Sequence, residues 1–340
     1  MISPRPTRWG ILATGRIAND FVEDLRLLAD AEVTAVGSRS VEAAEVFARR
    51  HSIPRAYGSW AELAADPEVD VVYVATPHSA HYAATMVCLD AGKAVLCEKP
   101  FTLDRASSED LVRVAAKRGL FLMEAMWTLT NPTIQRIQRL VNDGTIGEVM
   151  HVGADFGVAG PFPVGHRMRA PELGGGALLD LGVYPVTVAH AFLGVPSTVQ
   201  AWASLLPEGT DENTAMVLGY DSGAVATLQA GMVGDTAQRA VITGRAGRIE
   251  IDRLFYRPDT FTLTTNEGRC ERVEVEVRGN GMGYEAEEVM RCLRAGLTES
   301  PVIPLRSTLA VMSILDRVRE QIGVTYPPAV TSSVLPQPGP

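Results

Sequence analysis

The N-terminal third of the chain alternates short apolar runs with helical stretches, and this restricts the fold more than any other feature. Trp9-Gly-Ile-Leu-Ala13 precedes Thr14-Gly15-Arg16, after which Ile17, Phe21, Leu25 and Leu28 recur at helical spacing. Val33-Thr-Ala-Val-Gly37 leads into a helical pattern from Val41 to Arg50, and a further helix covers Trp60 to Ala65. Val69-Asp-Val-Val-Tyr-Val-Ala75 precedes a helix that closes at Gly92, and Ala94 to Cys97 delivers Glu98-Lys99-Pro100. Short, nearly continuous apolar runs between helices are strands covered on both faces. Repeated β–α units then require a parallel sheet with right-handed crossovers. The expected fold is α/β, with an N-terminal Rossmann domain built on a doubly wound parallel sheet.

In such a sheet ligands bind beyond the carboxyl ends of the strands. The pattern G-x-G-x-x-G/A aligns with Ala13-Thr14-Gly15-Arg16-Ile17-Ala18, with alanine in the first glycine position. Gly15 lets the backbone approach a pyrophosphate, the new helix offers free N–H groups, and Ala18 allows close helix–strand packing. After the second strand stands Ser38-Arg39-Ser40, where an NAD site usually places an acid. A guanidinium complements a 2′-phosphate, so NADP is expected and NAD disfavoured; the plain alternative is a solvated turn with Ser40 capping the next helix. Thr76, Pro77, His78 and His81 follow the third long strand, and Glu98 and Lys99 the fourth. The two histidines lack a third ligand at metal-site spacing, so cofactor packing or a helix-start hydrogen bond is expected, and no metal.

From Glu148 the texture changes to β-like runs: Val149 to Phe156, Thr198 to Ser204, Thr214 to Tyr220, Ala224 to Ala230, and four more up to Val277. A large, open, mostly antiparallel sheet is the economical arrangement. The boundaries expected are residues 1–124 for cofactor binding, 125–330 for substrate and dimerisation, and 331–340 as a tail. Two later helices, Tyr284 to Ala295 and Leu305 to Gln321, are expected to return to the first domain. A length of 340 residues fits two domains, and 46% apolar with 21% charged residues fits a globular chain. A formal charge of -9 without a basic run argues against a nucleic-acid partner. Cys88, Cys97, Cys270 and Cys292 show no metal or disulfide spacing, so buried reduced thiols are expected. No apolar run of signal-peptide or membrane-spanning length stands out, so a cytoplasmic protein without a membrane partner is the expectation.

Leu173-Gly-Gly-Gly-Ala-Leu-Leu-Asp-Leu-Gly-Val-Tyr184 is the candidate reaction segment. Three glycines release an apolar helix on which Asp180 and Tyr184, four residues apart, share a face. Pro185 should kink that helix just beyond them. Taken with Ala94-Val-Leu-Cys-Glu-Lys-Pro100, Glu124-Ala-Met-Trp127, Ile146-Gly-Glu-Val149 and Ala154-Asp-Phe-Gly157, this segment makes the chain resemble the Gfo/Idh/MocA oxidoreductase family from Trp9 to about Pro327. The resemblance is strongest to its NADP-dependent dihydrodiol and D-xylose dehydrogenase branch.

The resemblance implies a Rossmann domain followed by an α/β domain whose open sheet mediates a homodimer or higher homo-oligomer. It also implies a cis Lys99–Pro100 peptide, Lys99 and Asp180 flanking a nicotinamide, and Trp127 and Phe156 as apolar pocket walls. Thr128-Leu-Thr-Asn131 departs from the family pattern, which bears on the substrate pocket. The expected reaction is hydride transfer between NADP and a secondary alcohol or sugar hemiacetal: a dihydrodiol, pentose or related polyol. A phenol titrates near ~10 in model peptides, but a neighbouring ammonium favours its ionised form. Lys99 would supply that charge, Tyr184 or a water would move the proton, and Asp180 would orient either partner. The alternatives are a same-fold sugar reductase, such as an anhydrofructose reductase or inositol-type dehydrogenase, and a catalytically silent NADP-binding sensor.

Overall fold

The computed structural model describes residues 5–327, so the expected tail lies outside the described residues. The chain forms two compact units. One takes the chain up to Trp127 together with Arg278–Leu305, and the other takes Thr128–Val277 with Arg306–Pro327.

The first unit alternates β1 (Thr7–Leu12), α1 (Arg16–Leu25), β2 (Ala31–Gly37), α2 (Val41–Arg50), β3 (Arg55–Tyr57), α3 (Trp60–Ala65), β4 (Val71–Val74), α4 (His81–Asp90), β5 (Ala94–Glu98), α5 (Arg105–Arg118) and β6 (Leu122–Ala125). The strands form a six-stranded sheet in the order β3-β2-β1-β4-β5-β6, with every pairing parallel. The doubly wound expectation is met. β3, with three residues, is too short to show a period in the sequence.

Side-chain capping fixes the helix starts. Ser40, Ser59 and Asp104 each accept a backbone N–H from the first turn of α2, α3 and α5. Under the sheet, Phe21 of α1 stacks on Tyr73 at 3.8 Å and meets Trp9 edge-on at 5.4 Å. Gly37 must be glycine, because a Cβ there would stand 2.8 Å from Cβ of Leu63 on α3. Asp24, at the buried end of α1, closes the unit. Its carboxylate accepts backbone N–H groups of Asn280, Met282 and Gly283 at 2.8, 2.7 and 3.1 Å, ahead of a helix at Gly283–Arg294.

The second unit begins with α6 (Pro132–Asn142), capped by Asn131 with Pro132 in its first turn, where a missing N–H costs nothing. Then come β7 (Val149–Gly157), α7 (Val183–Leu193), β8 (Thr198–Leu205), β9 (Asp211–Gly219), β10 (Val225–Gly231), β11 (Ala240–Gly244), β12 (Gly247–Ile251), β13 (Thr260–Thr265) and β14 (Cys270–Glu274). These strands make an eight-stranded sheet in the order β14-β13-β12-β11-β7-β10-β9-β8. It is antiparallel except for β7 against β10. One face buries Val152, Phe156, Met216, Leu218, Leu228 and Ile242. The opposite face leaves Trp202 69%, Val217 48% and Val225 37% exposed.

Three expectations need correction. The helix Gly283–Arg294, α8, belongs to the first unit, but α9 (Leu305–Ile322) lies almost wholly in the second. Its Gln321 amide accepts from Ala201 N and donates to Val199 O, both at 2.9 Å, so it satisfies backbone groups of the edge strand β8. An apolar helical stretch long enough to cross a membrane does exist, at Pro171–Leu193; 78% of its most apolar window is buried inside the protein, as in a core helix. Cys270 is exposed on the edge strand β14, whereas Cys88, Cys97 and Cys292 are buried.

Asp24→Ala would leave the buried Met282 N–H and the half-buried Asn280 and Gly283 N–H groups without their acceptor and should lower unfolding free energy by about 2–3 kcal/mol, at ~1 kcal/mol per orphaned group. Urea denaturation measures this; a loss below about 1 kcal/mol would mean that solvent replaces the carboxylate.

Candidate active site

The expected cofactor residues gather at one end of the parallel sheet in the first unit. β1 ends at Leu12, and the next residue, Ala13, stands at φ 99°. That conformation favours glycine, so the alanine noted in the motif carries local backbone strain of about 1–3 kcal/mol. Thr14 is half-buried, and Gly15 begins α1 with no side-chain cap and open space where a Cβ would sit. The first-turn N–H groups of α1 therefore face that space without competition from a capping side chain. Arg16 is exposed and pairs with Asp20 at 3.9 Å, while Ile17 is half-buried.

Beyond β2, Ser38 donates its N–H to Tyr57 O at 3.1 Å, and Arg39 is exposed. Ser40 does what the plain reading offered: its Oγ accepts from Ala43 N at 3.2 Å and donates to Glu42 at 2.6 Å. Past β4, the Thr76 hydroxyl is buried and has no hydrogen-bond partner among the described residues. Pro77 precedes a short 3-10 turn, His78–Ala80, and His78 meets His81 edge-on at 5.7 Å.

His81 is a tie between two loops. Its Nδ1 lies 2.8 Å from Pro100 O and its Nε2 2.9 Å from Thr76 O, so both ring nitrogens face carbonyl oxygens and neither is open to a metal. Desolvation at full burial, aided by His78 and the Lys99 ammonium, pushes the imidazole down to about 3, although the two carbonyls favour the cation. The neutral ring donates to one carbonyl only. Glu98 is buried, accepting from the Tyr73 hydroxyl and from Lys99 N. Lys99 is half-buried, and the Lys99–Pro100 peptide is cis; Gly160–Pro161 is a second cis peptide that the sequence did not announce.

The candidate reaction segment lies in the second unit. The sequence predicts an ordinary helix from Ala177, but Leu178–Gly182 is a π turn, continued by α7 from Val183. The Pro185 ring cannot donate and crowds the carbonyl four residues earlier, at Leu181, inside that wider turn. Four residues of π or α winding return within about 40° of the start, so Asp180 and Tyr184 keep a common side. Both are buried, at 4% and 5% exposure. Arg167 Nη1 reaches Asp180 Oδ2 at 3.0 Å, so this arginine, thirteen residues earlier in the chain, is an Asp180 partner.

Tyr184 sits in an aromatic group, 5.6 Å from Phe156 and 5.2 Å from Tyr256, and those two rings stack at 4.5 Å. Tyr256 was not foreseen. It lies in Leu254-Phe-Tyr-Arg257 between strands, and nothing in that spacing announces a contact with Tyr184. Phe156 thus joins Tyr184 within the second unit, whereas Trp127, 9% exposed, is assigned to the first.

The geometry agrees with what the chain is similar to. The family model described as an oxidoreductase family with an NAD-binding Rossmann fold matches residues 7–126, and the GFO/IDH/MocA C-terminal domain matches residues 134–250. Trans-1,2-dihydrobenzene-1,2-diol dehydrogenase of Xenopus tropicalis is 39% identical over 330 residues, covering 94% of this chain and 99% of its own. D-xylose 1-dehydrogenase (NADP(+)) of Hypocrea jecorina is 38% identical, covering 98% and 96%. Among solved structures, KijD10, a 3-ketoreductase from Actinomadura kijaniata with NADP and TDP-benzene, superposes with a TM-score of 0.82 at 29% identity, over 94% and 98% of the two chains.

The buried, unpartnered Thr76 hydroxyl gives the cofactor site a direct test. Thr76→Val removes no hydrogen bond within the described protein, so stability should stay within about 0.5 kcal/mol. Affinity for NADPH, titrated by fluorescence, should fall about 5–10-fold, the value of one neutral hydrogen bond. Unchanged affinity would place the cofactor elsewhere.

Proposed function

We propose, from the premise that this chain belongs to the Gfo/Idh/MocA oxidoreductase family, that it interconverts a CH–OH group and its carbonyl with NADP. The substrate is a small diol or sugar: a trans-dihydrodiol, a pentose hemiacetal or a related polyol. The observation that carries this reading is Lys99 at the end of β5, in a chain similar along 94% of its length to named diol and sugar dehydrogenases. The bound cofactor accepts a hydride at its nicotinamide ring, or returns one in the reverse direction.

The residues that would hold NADP are Thr14 to Ile17 at the start of α1, Ser38 to Ser40 after β2, Thr76 to His78 after β4, and Glu98 and Lys99 after β5. They fit it chemically. The uncapped α1 start presents N–H groups to a pyrophosphate, and the Thr76 hydroxyl lacks a partner within the described protein. No carboxylate stands at Ser38-Arg39-Ser40, and the exposed Arg39 side chain suits the 2′-phosphate. His81 acts here through its loop contacts: its neutral ring lies between the Thr76 and Pro100 carbonyls and donates to one of them, packing against the turn that carries Lys99.

In the oxidative direction the substrate C–H bond breaks with its electron pair leaving as hydride, and the hydroxyl proton passes to a base. Tyr184 is assigned that proton, and Lys99 the stabilisation of the developing alkoxide and of the phenolate. Asp180 orients a substrate hydroxyl or Lys99 and is itself held by Arg167. The Phe156–Tyr256 stack gives Tyr184 an apolar flank. Trp127 is proposed as a second apolar wall for substrate.

The open face of the eight-stranded sheet, with Trp202 and Val217 exposed on it, is proposed as the contact with a second copy of this chain. The cytoplasm is the proposed compartment, consistent with reduced cysteines.

Tyr184→Phe should retain NADPH binding, Lys99→Met should weaken it a few-fold, and each should lose at least about 100-fold in kcat, as expected when a general acid–base or charge-stabilising group is removed. The double variant should fall little further, since groups serving one step are not additive. A panel of dihydrodiols, pentoses and polyols with NADP and NAD in parallel supplies the rates. Retention of most kcat by Lys99→Met would end its assignment, and no turnover on any substrate would favour the silent sensor. Trp202→Glu should convert a dimer to monomer in light scattering; an unchanged mass would clear that face of the role.

A further inference from the structure

We infer that Asp211 is a positioning residue for this reaction: its carboxylate grips the start of the π turn and so sets where Asp180 and Tyr184 stand. The inference rests on the assignment of those two residues to proton handling.

Asp211 is fully buried at the head of β9, remote in sequence from the segment it holds. Its Oδ2 accepts from Leu178 N and from Thr214 Oγ1, each at 2.7 Å. Leu178 opens the π turn and stands two residues before Asp180. Its N–H is a helix-start donor that needs an acceptor in a water-free place. The other carboxylate oxygen, Oδ1, has no hydrogen-bond partner among the described residues. It lies 2.3 Å from where a Cβ on Gly176 would be, and the Tyr326 hydroxyl lies 3.2 Å from the same point. Tyr326 in turn donates to Gly175 O at 2.6 Å.

The glycine run is therefore clamped. Gly176 has φ 114°, and a Cβ on Gly175 would meet backbone atoms of Arg169 and Ala170 at 2.8–2.9 Å. Glycine is needed there because a carboxylate, a phenol and a neighbouring backbone all approach closely, and those contacts hold the loop in place. Thr210, the residue before Asp211, donates to Arg169 O at 2.8 Å, and Arg169 pairs with Glu208 at 2.7 Å, so the turn between β8 and β9 also holds the chain ahead of the glycines.

Burial pushes the Asp211 carboxyl up to about 6, opposed by its hydrogen bonds from Thr214 and Leu178. The other ionisable groups around it are Tyr326, pushed up by burial and by the Asp211 charge, and Arg319, which draws Tyr326 back down. Arg319 lies 5.5 Å over the Tyr326 ring and pairs with Asp316. Because the folded carboxyl titrates above its unfolded value of about 3.9, its stabilising contribution is present below that value and lost as pH rises through about 6. At neutral pH the charge costs stability while it strengthens the grip on Leu178. Function and stability thus pull in opposite directions at this residue.

Asp211→Asn in the full-length protein tests the inference. At about pH 7.5 the variant should melt higher than wild type, because the buried charge is gone. Its kcat should fall roughly tenfold with NADPH affinity unchanged, as a small displacement of reacting groups would give. The acid limb of kcat near pH 6 should disappear, and amide exchange at Leu178 to Tyr184 should quicken. An active wild type with an equally active variant and the same pH profile overturns the inference. So does a variant that melts lower with unchanged exchange at those amides. Should wild type turn over no substrate, the functional reading fails, while the exchange measurement still decides the grip. Thr214→Val serves if Asp211→Asn does not fold: it removes one donor to the carboxylate and should move the acid limb to higher pH. An unmoved limb would count against the inference.

Discussion

A backbone N–H that begins a buried helix must find an acceptor, and in this protein single buried carboxylates meet that need at the points where distant parts of the chain join. Asp24 accepts from the loop before α8, which is more than two hundred residues away in sequence, and so closes the first unit. Asp211 does the same for the π turn of the second unit. Each carboxylate costs desolvation free energy, and each is supplied with two or more donors in return. Where the chain enters helices locally, short side chains suffice: the hydroxyls of Ser40 and Ser59, the Asp104 carboxylate and the Asn131 amide cap their own first turns.

The uncapped helix starts stand apart from this pattern. α1 begins at Gly15 with no side-chain acceptor and with room in front of it. The Thr76 hydroxyl, after the neighbouring strand β4 at the same sheet end, is buried with no hydrogen-bond partner among the described residues. α4, which starts just beyond Thr76, also lacks a side-chain cap, so these groups stand together at the carboxyl edge of a parallel sheet, where a nucleotide's phosphates and amide would meet them. Nearby, His81 shows how neutral chemistry stiffens such a site. One buried, neutral imidazole sits between two loops and donates to one of the two carbonyls it faces.

Much of the architecture was legible because local and global preferences agree. The α2 and α3 spans, the cap and proline of α6, and the parallel β1, β2, β4 and β5 follow from periodicity and turn chemistry alone. The candidate cofactor positions were legible as positions, since they trail strand ends. Ser40, however, spends its hydroxyl on a cap. Tyr256 was invisible because its partners, Phe156 and Tyr184, come from segments 100 and 72 residues away in numbering, beyond the reach of any local period. β3 was too short to show one, and the apolar stripe of α9, with Met312, Leu315 and Val318 fully buried, shows that the helix packs but not against which unit.

The sequence by itself determined the alternation of strand and helix, the chain positions at which ligand-facing turns occur, and the acid–phenol spacing of Asp180 and Tyr184. These are set by side chains acting on their own backbone or on neighbours one helical turn away. Only the tertiary structure decided that the three glycines form a clamped passage, that the turn bearing Asp180 widens to π, and that Asp211, Tyr326, Arg167 and Tyr256 surround it. Such contacts depend on which buried groups lack partners after the strands have paired, and that accounting exists only once the chain is folded.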